Sequence, residues 1–348
     1  MDLSGALTGI QFAAKWNGTD LLVAKGDDFA KPTGVPLEAS VIGSRASLNE
    51  VLFKSITAKL GANGLKGSGA YRTAGQAATV DLTFKGTNWS VQDLSKNSPV
   101  LAPYHPTGNL SFEAHAAGPV AAPQTTLATS ASIAMANVKQ DYYQAQNLQL
   151  NWNLTDVTPD LAKVNGTAAL KQGPGKILNV GKLASSSRIG KIALAPLDIL
   201  AKIQEKGVLK QVNLPSLQSI PFDSIVGDYV LRSGVMTIKT FTLSGNDLSV
   251  EDQGTVGLAG VQPIHMNVVM KLAAGSVGGT LGEILKDASG RPTIKFVASG
   301  TVANPSVKLD VQEAGKKALQ QAGQEIMKNK DVQKAVDDLG NTLKGIFH

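Results

Sequence analysis

The chain has 348 residues, enough to bury a core of ordinary size in two domains or in one extended repeat array. Charged residues make up only 17%, against about 25% in an average soluble domain, and Gly is abundant while aromatics are few, the profile of a β-rich chain with many turns. The net charge of +6 comes from singly scattered Lys and Arg, which argues against nucleic acid, and the absence of cysteine excludes disulfides, thiolate metal sites and a Cys nucleophile.

In chain order, Met1-Asp2-Leu3-Ser4-Gly5 has neither a basic nor an apolar leader and runs straight into β-like patterning. The expectation is a piece of a longer protein whose N-terminal anchor is absent from this chain. Apolar residues then alternate with polar ones at Ile10, Phe12, Ala14 and Trp16, and again at Val80, Leu82 and Phe84. The same period of two recurs at Leu148, Leu150, Trp152 and Leu154, and at Ile264, Met266, Val268, Met270 and Leu272. Side chains of a strand point alternately to opposite faces, so each segment predicts a strand with one apolar and one wet face.

Breaks at Ala62-Asn63-Gly64, Thr107-Gly108-Asn109 and Ser244-Gly245-Asn246 separate such segments. Connections this short join antiparallel neighbours, and no helical pattern occurs in the first 190 residues to supply parallel crossovers. The predicted fold is therefore mainly β: a long antiparallel, twisted meander forming a groove or an open barrel, with a few short helices and a helical C-terminal tail. Helical spacing appears at Leu194–Lys206, ending at Gly207, in a short stretch at Leu281–Ala288, and in the tail from Val311 to Phe347. Asp331 reads as an N-cap inside that tail, whose apolar side lies on its own domain or meets a membrane surface.

Catalytic constellations are missing. His105, His115, His265 and His348 include no pair at metal-binding helical spacing, and no Gly-x-Ser-x-Gly elbow occurs. Gly173-Pro174-Gly175-Lys176 resembles the end of a phosphate loop, but Leu170 replaces its first glycine and Ile177 its magnesium-binding hydroxyl, leaving a tight turn. Gly67-Ser68-Gly69 marks a bulge or a close backbone approach, and Glu251-Asp252 reads as a solvated loop. No enzyme, metal or cofactor is expected.

From Val164 the order of motifs becomes more specific. Asn165-Gly166-Thr167-Ala168-Ala169-Leu170 is followed by Pro221-Phe222-Asp223-Ser224-Ile225-Val226-Gly227-Asp228-Tyr229, then Ser233-Gly234-Val235-Met236-Thr237-Ile238. Phe241-Thr242-Leu243-Ser244-Gly245-Asn246, Gln253-Gly254-Thr255 and Ser299-Gly300-Thr301-Val302-Ala303-Asn304-Pro305 complete the series. This run resembles the C-terminal domain of the AsmA family, related in style to TamB-like and bridge-like lipid transfer proteins. The resemblance implies a Gram-negative periplasmic protein tethered to the inner membrane, binding phospholipid or another acyl-chain lipid in support of outer-membrane homeostasis.

Three regions are expected: 1–163 as the β-groove, 164–311 as the AsmA-like domain and 312–348 as the tail. The alternating sets Val80–Phe84, Leu148–Leu154 and Ile264–Leu272 are the candidate lipid-facing residues. Residue patterning alone leaves an open groove and a closed sandwich core as equal alternatives. A structural scaffold assisting envelope assembly proteins is the rival function.

Overall fold

The computed structural model describes residues 2–4, 9–25, 29–75, 77–99, 101–120, 127–179, 182, 219–277, 285–303 and 305–309. The helices expected at Leu194–Lys206 and in the tail Val311–Phe347 lie outside these residues, as do residues 281–284 of the short stretch. Lys286, in the described part of that stretch, instead makes an isolated β-bridge to Pro292.

The fold is mainly β, with antiparallel strands and almost no helix. In chain order the strands are β1 (Asp2–Ser4), β2 (Gln11–Asn17), β3 (Val23–Lys25), β4 (Phe29–Lys31), β5 (Leu37–Ser47), β6 (Glu50–Leu60), β7 (Asn63–Ala74) and β8 (Ala77–Ser90). One short helix, α1 (Val91–Ser95), capped by the Ser90 hydroxyl, and a 3-10 turn at Ala102–Tyr104 lead to β9 (Thr107–Pro119), β10 (Leu127–Gln140), β11 (Tyr143–Val157) and β12 (Asn165–Gln172). There follow β13 (Gly175–Ile177), β14 (Ile220–Phe222), β15 (Ser224–Arg232), β16 (Val235–Ser244), β17 (Leu248–Gly257), β18 (Pro263–Leu272), β19 (Thr293–Thr301) and β20 (Pro305–Leu309).

Two compact units divide the chain. The first holds residues 1–175, 224–239 and 257–260, and the second holds residues 176–223, 240–256 and 261–348. The division does not fall at the expected 163/164 boundary, because β12 pairs along β11 and β15 pairs along β12, so both stay in the first unit. Residues 164–311 are therefore shared between the units.

In the first unit, β2 pairs with β5, and β5 through β12 then pair each with the next in sequence, before β15 joins β12. In the second unit β17, β18, β19 and β20 form a consecutive meander. The sheet is not closed into a barrel. Two-residue turns explain the antiparallel order: Ser233 and Gly234 both have positive φ, the backbone that matches strand twist in a tight hairpin. Gly173 and Pro174 make the tight turn expected of them, held by Gln146, whose carbonyl accepts from the Gly173 amide and whose amide donates to the Pro174 carbonyl.

One expected break is a strand. Thr107-Gly108-Asn109 opens β9, where Gly108 sits at φ +133° against the Asn137 carbonyl, opposite a bulge between Met135 and Val138. The glycine there serves close backbone approach within a sheet and not a turn. The Gly67-Ser68-Gly69 reading holds, since a Cβ on Gly67 would meet the Phe84 ring and the Thr83 carbonyl.

Candidate functional site

Cross-strand register places the apolar residues of the first unit on one side. Directly opposed residues share a face, so the pairs can be followed from strand to strand. One row runs Ala14, Val41, Ile56, Gly67, Phe84 across β2 to β8. It continues Ala114, Ala131, Trp152, Ala168, Tyr229 across β9 to β15. A flanking row includes Phe12, Phe53, Leu82 and Leu154, and the other flank includes Leu65, Phe112, Ile133 and Leu150. Ten strands at about 4.8 Å spacing make this surface roughly 40 Å wide.

Large side chains lie over small ones throughout. Phe12 covers Gly43, Phe84 covers Gly67, and Phe112 with Trp89 covers Gly86, in each case so closely that an added Cβ would strike the ring. Edge-to-face contacts join Phe12 to Phe53 at 6.4 Å and Trp89 to Phe112 at 5.1 Å. The result is a shallow apolar pavement, with the spaces above Gly43, Gly67 and Gly86 filled by neighbouring rings.

The opposite face is wet. Arg72 donates to Glu50 at 2.7 Å, Lys85 to Glu113 at 3.2 Å, and His115 pairs with Asp81 at 2.8 Å. His105 pairs with Asp141 at 3.0 Å, so the two histidines do not meet, and no metal-binding cluster occurs among the described residues.

The apolar pavement is only partly covered. Val80, Leu82 and Phe84 on β8, and Leu148, Leu150, Trp152 and Leu154 on β11, all lie on it and all keep intermediate exposure. Within strands β2 to β11 the buried apolar side chains among the described residues are Ala70, Ala131, Met135 and Ala145, three alanines and one methionine.

The third candidate set is different. Ile264, Met266, Val268, Met270 and Leu272 are between 0 and 6% exposed. Their partners Leu248, Val250 and Val256 on β17, and Ile294, Phe296 and Ala298 on β19, are equally buried. For these five residues the closed core is the arrangement found, and they line no open surface in this structure. Adaptable methionines here fill a packed interior.

Glu251 and Asp252 also depart from expectation, since they lie within β17 and not in a solvated loop. Glu251 faces out and accepts from Lys271 at 2.9 Å. Asp252 points the other way, 2% exposed, opposite Val268, and its Oδ1 has no hydrogen-bond partner. Burial pushes its carboxyl up from 3.8 to about 7, opposed only by a hydrogen bond from the Gln253 amide. Period-two alternation through Leu248, Val250, Asp252 was the sequence signal for this residue.

Phe12, Phe53 and Phe112 belong to the pavement; Phe112 continues the alternation Leu110-Ser111-Phe112-Glu113-Ala114, whereas Phe53 stands in no clean alternating run. A bulge between Phe53 and Ile56 shifts the phase on β6, and one between Gly86 and Trp89 does so on β8, which hides Phe53 and Trp89 in the sequence pattern. A face of this kind offers apolar area and no reactive group. Searches with the sequence and the fold found no matching family model, no matching curated protein and no matching solved structure.

Proposed function

We propose that the chain is a non-catalytic acyl-lipid-binding protein that carries lipid tails on the open apolar face of its first unit. One observation carries the reading: this face stays partly exposed across the nine strands β2 and β5–β12, whereas the equally apolar face of β17–β19 is fully packed. An apolar surface of that width left facing solvent is the usual mark of a binding site. A diacyl lipid leaving a bilayer exposes about 30 methylenes at ~0.8 kcal/mol each, so a carrier has to replace roughly 25 kcal/mol of apolar contact without any chemical step.

Each tail spans about 15 Å, half of a bilayer's hydrocarbon thickness, and the pavement is wide enough for more than one. Because rings already occupy the space over the glycines, tails lie across the surface and do not insert into slots. The AsmA resemblance supports a place in phospholipid transport and outer-membrane homeostasis in a Gram-negative periplasm, with tethering to the inner membrane.

Mass spectrometry of an organic extract of the purified protein, paired with titration of a fluorescent fatty acid, tests the proposal. Bound phospholipid in the wild type, and loss of fatty-acid binding in a folded Leu150→Glu/Trp152→Glu variant, are the expected results. A lipid-free extract with no titratable fatty-acid binding, beside capture of envelope assembly proteins, would overturn it in favour of a scaffold.

A further inference from the structure

The second unit contains an ionisable group that the acyl-binding reading does not use. Asp252 lies mid-strand in β17 between Val250 and Gly254, and all of its β17 face-mates, with those of β18 and β19, are apolar. Gly254 lets β17 close on β18 beside it, since a Cβ there would meet the His265 carbonyl and Met266. The carboxyl is thus held in a close-packed layer with one oxygen unsatisfied.

Every ionisable group of the surrounding described strands faces away from it. Glu251, His265, Lys271 and Lys295 occupy the alternate positions of β17, β18 and β19, and Asp223, Lys239 and Lys308 are exposed. An ionised carboxylate in such a place has no counter-charge among the described residues and too few donors, whereas the neutral acid costs far less.

We infer that Asp252 is a proton-operated latch: as the neutral acid it lets the apolar layer of β17, β18 and β19 close, and its ionisation loosens that layer and uncovers the Met266 and Met270 strand. The latch stands on the burial and the orphaned oxygen alone. Its use, as a second acyl-accepting surface that opens when the proton leaves, rests on the proposed function.

The direction follows from linkage. The folded-state carboxyl titrates near 7 and the unfolded one near 3.8, so the stabilisation is full below about pH 4 and is lost progressively as pH rises through about 7. About three pKa units correspond to as much as a thousand-fold in the opening equilibrium.

Hydrogen exchange of the full chain at about pH 5 and pH 8, corrected for intrinsic exchange, reads this locally. The amides of β17–β19 are expected to lose protection by up to about a hundred-fold between these two pH values, those of β6–β11 to stay unchanged, and Asp252→Asn to remove the difference. Equal protection at both pH values, or the same loss in the variant, would overturn the latch. Infrared spectroscopy needs no variant: a protonated-carboxyl band surviving at about pH 5.5 and vanishing by about pH 8 is expected, and its absence at the lower pH is equally fatal. Neither readout involves lipid, so failure of the latch and failure of acyl binding are separable.

Discussion

Lys31 shows how this fold tolerates a buried charge outside any ion pair. Its side chain is 0% exposed, and its ammonium donates to the carbonyls of Thr19, Leu21 and Pro32 at 3.0, 2.7 and 2.8 Å, filling all three of its donor positions. The loop between β2 and β5 is thereby tied around one cation, with Leu22 left on its outside at 73% exposure. Lys31→Met keeps the stem's packing but strands three inward carbonyls, and is expected to cost about 3 kcal/mol, measurable as a lowered urea midpoint with an unchanged slope. Asp252 is the opposite case, a buried acid with an unfilled oxygen. Asp287 does not confuse the titration of Asp252: hydrogen bonds from Ser289 above all hold its carboxyl down at about 2, so its contribution is present above about pH 4 and is lost only as pH falls toward 2.

Strands β11 and β18 have the same alternation and different surroundings. In β11, Leu150 lies opposite Ile133 and Leu170 on a face that remains partly exposed, so a carboxylate placed there still reaches water. In β18, Val268 lies between Asp252 and Phe296 and is 1% exposed. Leu150→Glu is therefore expected to change the melting temperature by only a few degrees while abolishing fatty-acid binding. Val268→Asp buries a second unpaired carboxyl and is expected to cost about 3–5 kcal/mol, enough to unfold the second unit. Circular dichroism melting of both variants checks the pair, and equal sensitivity of the two strands would mean that the first unit's face is covered in solution. Arg291 marks the end of the closed layer, donating to the carbonyls of Leu272 and Lys271, to the Ser249 hydroxyl and to the carbonyls of Gly245 and Asn246, which ties the β16–β17 turn to β18.

The two units divide the work by burial: the second holds most of the fully buried apolar side chains among the described residues, and the first spends its apolar residues on an incompletely covered face. On the proposed function, lipid on that face would be retained by apolar area, which salt does not screen, with the net charge of +6 contributing only at long range. Lipid bound to the purified chain is accordingly expected to survive a wash in about 1 M salt, where the Debye length is about 3 Å, and to be displaced by detergent. Release by salt alone, followed by mass spectrometry of the wash, would point to head-group binding on the charged face. The period of two was legible without coordinates, because a strand's facing is set residue by residue by its backbone; it correctly placed Val80–Phe84 and Leu148–Leu154 on one side and predicted the antiparallel order from short Gly-containing turns. Register across ten strands, the phase shifts at the bulges and the flattening of Phe12, Phe84 and Phe112 over facing glycines depend on partners far away in the chain. Whether an apolar face is open is a property of what lies over it, which is why identical patterns in β11 and β18 have opposite fates, and why Asp252, reading like a surface acid beside Glu251, is buried only once β17 is paired and covered.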